Sequence, residues 1–295
     1  MVRKLGLRSH IYQRFSLGTQ QHWGKGGYSE RARMAVEGLT IEGLTAGVAQ
    51  VDAHVDYKPT SLRHRYLGLR HGQSEANLES VISSCPVKGS QTHGLTPLGQ
   101  QQARQSSMQL LEIVGGRDNL KDVIFMSSNF TRAWQTAEQC AAALVNTIIE
   151  GQGLGPTGTE AWAALVKPAV RVEELRERSF GEFDGLSLEY YNLVWPVDSV
   201  DASNVRFGVE SVNSVMTRVS RLIQRLEKSF PGEQKTFVWV SHADTLQIAN
   251  LYLCWSTGQG CDPRLFHSYR FKNGEVRDLL WLPEPVPLVL DGVNK

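Results

Sequence analysis

Between residues 63 and 282, short apolar runs alternate with longer stretches whose apolar residues recur every three or four positions. The first pattern suits buried strands and the second amphipathic helices, so the chain is constrained to helices covering both faces of a mostly parallel sheet. Strands are expected at 64–70 (HRYLGLR), 122–128 (DVIFMSS), 169–175 (AVRVEEL) and 235–242 (KTFVWVSH). A final pair, 267–273 (HSYRFKN) and 275–282 (EVRDLLWL), is joined by the turn signal Asn273-Gly274. Helices are expected at 96–114, 130–145, 211–230 and 244–255, the first with Thr96 as N-cap and Pro97 at its first position. The expected fold class is α/β, a three-layer α/β/α sandwich over residues 63–295. Residues 1–62, weakly periodic and followed by this pattern, read as an N-terminal extension outside it.

Charge narrows the partners. Of 295 residues, 31 are Lys or Arg and 30 are Asp or Glu, a net charge of +1, which gives no reason to expect nucleic acid or an anionic membrane. No apolar run approaches the roughly 20 residues that cross a bilayer, so a soluble protein is expected. The four cysteines are scattered with no C-x-x-C pair, as for reduced thiols. The eight histidines lack metal-ligand spacing, so no metal is expected. Residues 1–29 carry five basic side chains and no acid before Glu30. That suits either a mitochondrial or plastid transit peptide or a basic tail on a cytoplasmic protein. The glycine-rich 150–160 reads as a loop.

Ligands of such sheets bind beyond the carboxyl ends of the strands, and here those ends carry chemistry. At the first end stands Arg70-His71-Gly72: an imidazole able to attack phosphorus, a guanidinium to balance phosphate charge, and a glycine that allows close backbone approach. After the second strand, SSNFTR places Arg132 near a helix start, where side-chain donors add to free backbone N–H groups. LRERSFGEFDG, after the third, offers a proton donor in Glu177, with Glu182 and Asp184 as rivals. The last end places His242, with Ser241 facing the other way and so not activated by it. Taken singly, a surface turn, an exposed ion pair, a solvated loop and a core histidine would explain these four.

Taken in order, the four motifs resemble the histidine phosphatase superfamily, also called phosphoglycerate mutase-like, over about residues 64–282. The resemblance implies that His71 is the phosphoryl acceptor, passing through a phosphohistidine, and that Arg70, Arg132 and His242 complete the phosphate pocket. It makes Glu177 the proton donor and Asn77 and Ser83 contacts to substrate or phosphate. Glu210-Ser211 is similar to a G-E-S element, with Val209 in place of glycine. Neither metal nor organic cofactor is implied. Gln73 stands where the family usually has Glu, and Ala243 where Gly is common, which puts a Cβ beside the pocket.

No paired-arginine segment of the mutase kind lies between Gly185 and Glu210, so hydrolysis of a small phosphomonoester is the expected activity. Mutase-type transfer, and an inactive binding protein of the same fold, are the alternatives. The loop after Asn77 and residues 186–210 are expected to set the substrate, with Lys88 and His93 able to supply positive charge for a second phosphate or carboxylate. Oligomeric state is not legible in the sequence.

Overall fold

The computed structural model describes residues 61–150, 166, 169–259 and 268–282. The N-terminal extension read at 1–62 lies almost wholly outside the described residues, as does the loop at 150–160. The sheet has five strands: β1 (Arg65–Arg70), β2 (Val123–Ser127), β3 (Val170–Arg171), β4 (Thr236–Ser241) and β5 (Val276–Asp278), in the order β3-β2-β4-β1-β5. All neighbours are parallel except β5, which runs antiparallel along β1. The longer helices among the described residues are α1 (Pro97–Ile113), α2 (Thr131–Glu150), α3 (Tyr191–Asp198), α4 (Val212–Lys228) and α5 (Ala243–Ser256).

Both faces of the sheet are covered, which is why β4 reads as one unbroken apolar run. Its Val238 and Val240 join Leu67, Leu69 and Phe125 beneath α1 and α2. Its Phe237 and Trp239 join Tyr66 on the other face, under α4 and α5. Helix α4 buries Val212, Val215, Val219, Leu222, Ile223 and Leu226, the spacing that predicted it, and Ser211 caps it by accepting from Ser214 N–H at 3.1 Å. Thr96 likewise caps α1, accepting from Gly99 N–H at 3.1 Å. The expected sandwich of three layers is the fold observed.

Three expected strands are corrected, the one read at 275–282 being only the three residues of β5. The one read at 169–175 is only two residues long, because Glu173–Leu175 coil into a single 3₁₀ turn that buries Leu175 instead of continuing the sheet. Of 267–273, the residues from 268 onward form no strand; Tyr269 and Phe271 are buried as the chain turns through Asn273-Gly274 into β5. Alternation there came from packing onto the core, not from sheet pairing.

Gly72 also differs from expectation. A Cβ on it would lie 2.2 Å from the carbonyl oxygen of Gly99, and one on Gly99 would lie 2.0 Å from that of Gln73. Its own N–H is taken by Thr136 Oγ1 at 3.1 Å. The glycine is therefore required by backbone packing between the end of β1 and the start of α1, rather than by close approach of a phosphate. Alanine at either position is expected to cost about 1–3 kcal/mol of stability, read as a lowered urea midpoint. An unchanged midpoint would remove the packing explanation.

Among the described residues, no helix is long and apolar enough to cross a membrane.

Candidate active site

The carboxyl ends of β1 and β4 lie side by side, with Arg70 opposite Ser241 in register. His71 follows the first and His242 the second, and their rings meet edge to face at 5.1 Å. A separate apolar platform of Ile82, Phe180, Phe183, Val194 and Val209 packs the loop after Asn77 against the segments that follow Glu177 and precede α4.

The local bonds of His71 decide its chemistry. Nδ1 lies 2.7 Å from the carbonyl oxygen of Gly72, an acceptor only, so the ring proton sits on Nδ1. Nε2 accepts from Arg132 Nε at 3.1 Å. Burial, with Arg132 and Arg70 beside it, holds the imidazole well below the usual histidine range. The ring is neutral at pH 7 and presents the lone pair of Nε2.

Arg132, at the second position of α2, also donates from Nη1 to Ser83 Oγ at 3.1 Å and from Nη2 to Ser83 O at 2.8 Å. Burial pushes its pKa down to about 10, so it stays charged at neutral pH. It is buried and forms no ion pair with a carboxylate among the described residues, unlike the exposed ion pair that would have explained it alone. Arg70 donates from Nη1 to Phe271 O at 2.8 Å, while its buried Nε has no partner among the described residues. The same holds for His242 Nδ1. His242 Nε2 lies 2.9 Å from Ser128 Oγ, which already accepts from Phe130 N–H and is free to give its own proton to that nitrogen. The remaining ring proton then sits on Nδ1, a second unmatched donor. An oxyanion beside His71 would satisfy both.

Glu177 is buried at the cavity wall, Oε1 accepting from Arg178 N–H at 3.0 Å and facing Thr245 N–H at 3.4 Å. Burial, then the nearby Asp244, raises its pKa to about 7 against the opposing pull of Arg132 and Arg70. Its flanking arginines are turned away: Arg176 pairs with Glu210 at 3.0 Å, and Arg178 grips Asp198 at 2.5 and 2.9 Å. The rivals fall out on geometry. Glu182 is exposed, and Asp184 accepts from Ser84 and Cys85 N–H groups, which outweigh burial and hold it below the usual carboxylate range.

These groups line a cavity of about 620 Å³, together with Asn77, Ser83 and Ala243. His242 is the exception among the expected site residues: it is fully buried, its ring against that of His71, and is not part of the cavity lining. Asn77 Oδ1 is occupied by Ser74 and Asn273, leaving its amide nitrogen for a ligand. Ser241 donates to Leu175 O at 2.6 Å and takes no part. Lys88 pairs with Asp184 at 3.6 Å and His93 meets Ser83 Oγ at 2.9 Å, so neither supplies the extra cavity charge expected of it.

Sequence reasoning missed several residues. Asp244 lines the cavity, held by Trp195 Nε1 at 3.2 Å and Gln247 Nε2 at 3.1 Å. Arg178, fully buried, ties Asp198, Asp244 and the Glu210 carbonyl together behind the acid. Asn273 donates to His71 O at 2.9 Å, and Arg270 and Lys272 line the cavity from the same segment. The only sequence signal was the turn at Asn273.

Comparison with known proteins comes to the same place. A family model described as histidine phosphatase superfamily (branch 1) matches residues 67–163 and 156–284. A mycobacterial glucosyl-3-phosphoglycerate phosphatase, solved with VO3, is 22% identical with a TM-score of 0.50, covering 72% of this chain and 89% of that one. A structure described as mycobacterial hydrolase 1 is also 22% identical at 0.50, covering 72% and 87%. At such identity these two speak for the fold. A comparison with curated protein sequences returns no match.

Proposed function

The chain belongs to the histidine phosphatase superfamily, and from that membership we propose that it hydrolyses a small phosphomonoester through a phosphohistidine on His71. The fixed tautomer of His71 carries this reading: a neutral ring, Nδ1–H tied to a carbonyl, Nε2 directed toward a cationic cavity.

In the first step the Nε2 lone pair attacks phosphorus as Arg132 shifts its N–H from that nitrogen to a phosphoryl oxygen. Arg70 and His242 Nδ1–H hold the remaining oxygens. The phosphorus–oxygen bond to the alcohol breaks, and Glu177 gives its proton to the departing oxygen. In the second step water attacks the phosphohistidine and Glu177, now a carboxylate, takes its proton. The phosphorus–nitrogen bond breaks, its electron pair returns to Nε2 and phosphate leaves. Two guanidinium groups balance the charge that a metal would otherwise carry.

Inorganic phosphate is therefore expected from a panel of metabolite monoesters in the presence of EDTA. Loss of release in EDTA, restored by a divalent metal, would overturn the metal-independent mechanism. Isomer formation without free phosphate would replace hydrolysis by transfer between hydroxyls.

A further inference from the structure

Beyond the phosphoryl site the cavity continues along one unusual wall. Phe180 meets Tyr191 edge to face at 4.7 Å, Tyr191 stacks on Trp195 at 4.4 Å and 9°, and the Arg270 guanidinium lies 4.9 Å over the Trp195 ring. The indole is also pinned in its plane by its N–H bond to Asp244. An aromatic column rising from the buried platform thus holds a cation at the cavity mouth, where a free arginine would sample many rotamers.

The column has a second part. Burial alternates along 269–272, so Phe271 points into the core while Arg270 and Lys272 are exposed on either side of it, and both line the cavity. The Phe271 carbonyl is the acceptor for Arg70 Nη1, which ties this segment directly to the phosphoryl site. Neither Arg270 nor Lys272 forms an ion pair with a carboxylate among the described residues. Arg270 is near enough to Arg70 to be the foremost charge depressing it after burial. A phosphoryl group engages Arg70 and Arg132, which leaves two further cations with nothing to neutralise them.

We propose that Arg270 and Lys272 form a second anion subsite, and that the substrate is a phosphomonoester whose alcohol portion carries another anionic group, a carboxylate or a second phosphate. The proposal rests on the phosphatase reading for the phosphoryl end of the ligand. It moves substrate selection from the loop after Asn77 to the segment before β5.

Phosphonates, which are not hydrolysed, separate the two ideas. Calorimetric titration at fixed ionic strength would compare ethylphosphonate with 3-phosphonopropionate, 4-phosphonobutyrate and 1,3-propylenediphosphonate. At least one dianionic-ended ligand is expected to bind roughly tenfold or more tightly than ethylphosphonate, a charge-assisted contact's worth. In the double variant Arg270→Ala/Lys272→Ala that ratio is expected to fall to about threefold or less. The carboxylate and bisphosphonate arms tell which anion is preferred. Equal binding of all four by the wild type, or a preference that survives the double variant, would overturn the subsite. A preference lost in the variant, with no phosphate released from any ester, would uphold the subsite and remove the phosphatase reading instead.

Discussion

Replacing His71 by alanine is expected to lower phosphate release by roughly 10⁴-fold or more, because it removes the neutral imidazole whose lone pair faces the phosphoryl group beside Arg70 and Arg132. Arg70 and Arg132 are cations, His242 Nε2 is held by Ser128 Oγ, Ser83 Oγ is engaged by Arg132, and the buried Ser241 hydroxyl is spent on Leu175 O. Wild-type protein quenched in alkali during turnover should retain labelled phosphorus, and the variant should not. The substitution strips Arg132 Nε of its acceptor, so His71→Asn serves as a second variant that keeps polar volume in the site. Either variant turning over within tenfold of wild type would end the role of His71 as nucleophile.

Glu177→Gln is expected to cost roughly 10²–10³-fold on alkyl monoesters, whose departing oxygen needs a proton. On p-nitrophenyl phosphate, with a stable phenolate to release, the loss should be under about tenfold. An equal loss on both would argue against the donor role. The pH dependence follows from the raised pKa. With Glu177 pushed up to about 7, alkyl ester hydrolysis should decline above that pH as the donor loses its proton, while p-nitrophenyl phosphate shows no such limb. Asp244 is among the causes of the rise, next after burial. Asp244→Asn removes a negative charge, eases release of the Glu177 proton and should bring the decline to lower pH. An unmoved limb would mean that burial alone sets the acid.

The His71 loop was legible because its signals are local: an apolar strand, then Arg70-His71-Gly72, then the capped helix at Thr96. Helix α4 was legible for the same reason, its apolar residues falling on one face. The Glu177 loop was half legible. Glu177 could be named but not separated from Glu182 and Asp184, because what distinguishes it is burial beside Asp244, 67 positions along the chain. Arg178, which looked like one more charge in a solvated turn, is wholly buried with Asp198, and nothing in their spacing shows the pair. The reading failed at both sheet edges. Alternation of apolar residues at 169–175 and 268–273 marks burial, but burial against a turn or an aromatic cluster leaves the same pattern as burial in a strand. Arg270 belongs to this last class, being placed by a tryptophan 75 residues earlier.

The segment before β5 is also the last part of the site to leave the ribosome. His71 precedes most of the site in the chain, yet its carbonyl is held by Asn273, 202 residues later, and among the described strands β1 pairs with β4 and β5 alone. Until those strands emerge, the His71 loop belongs to an unpaired apolar strand with no sheet to join. Such long-range closure makes folding slow and leaves the nascent chain exposed to aggregation. It also makes activity an all-or-none report on completion: a chain that stops before Asn273 carries Arg70, His71, Arg132 and His242 and still lacks the bond that holds the His71 carbonyl.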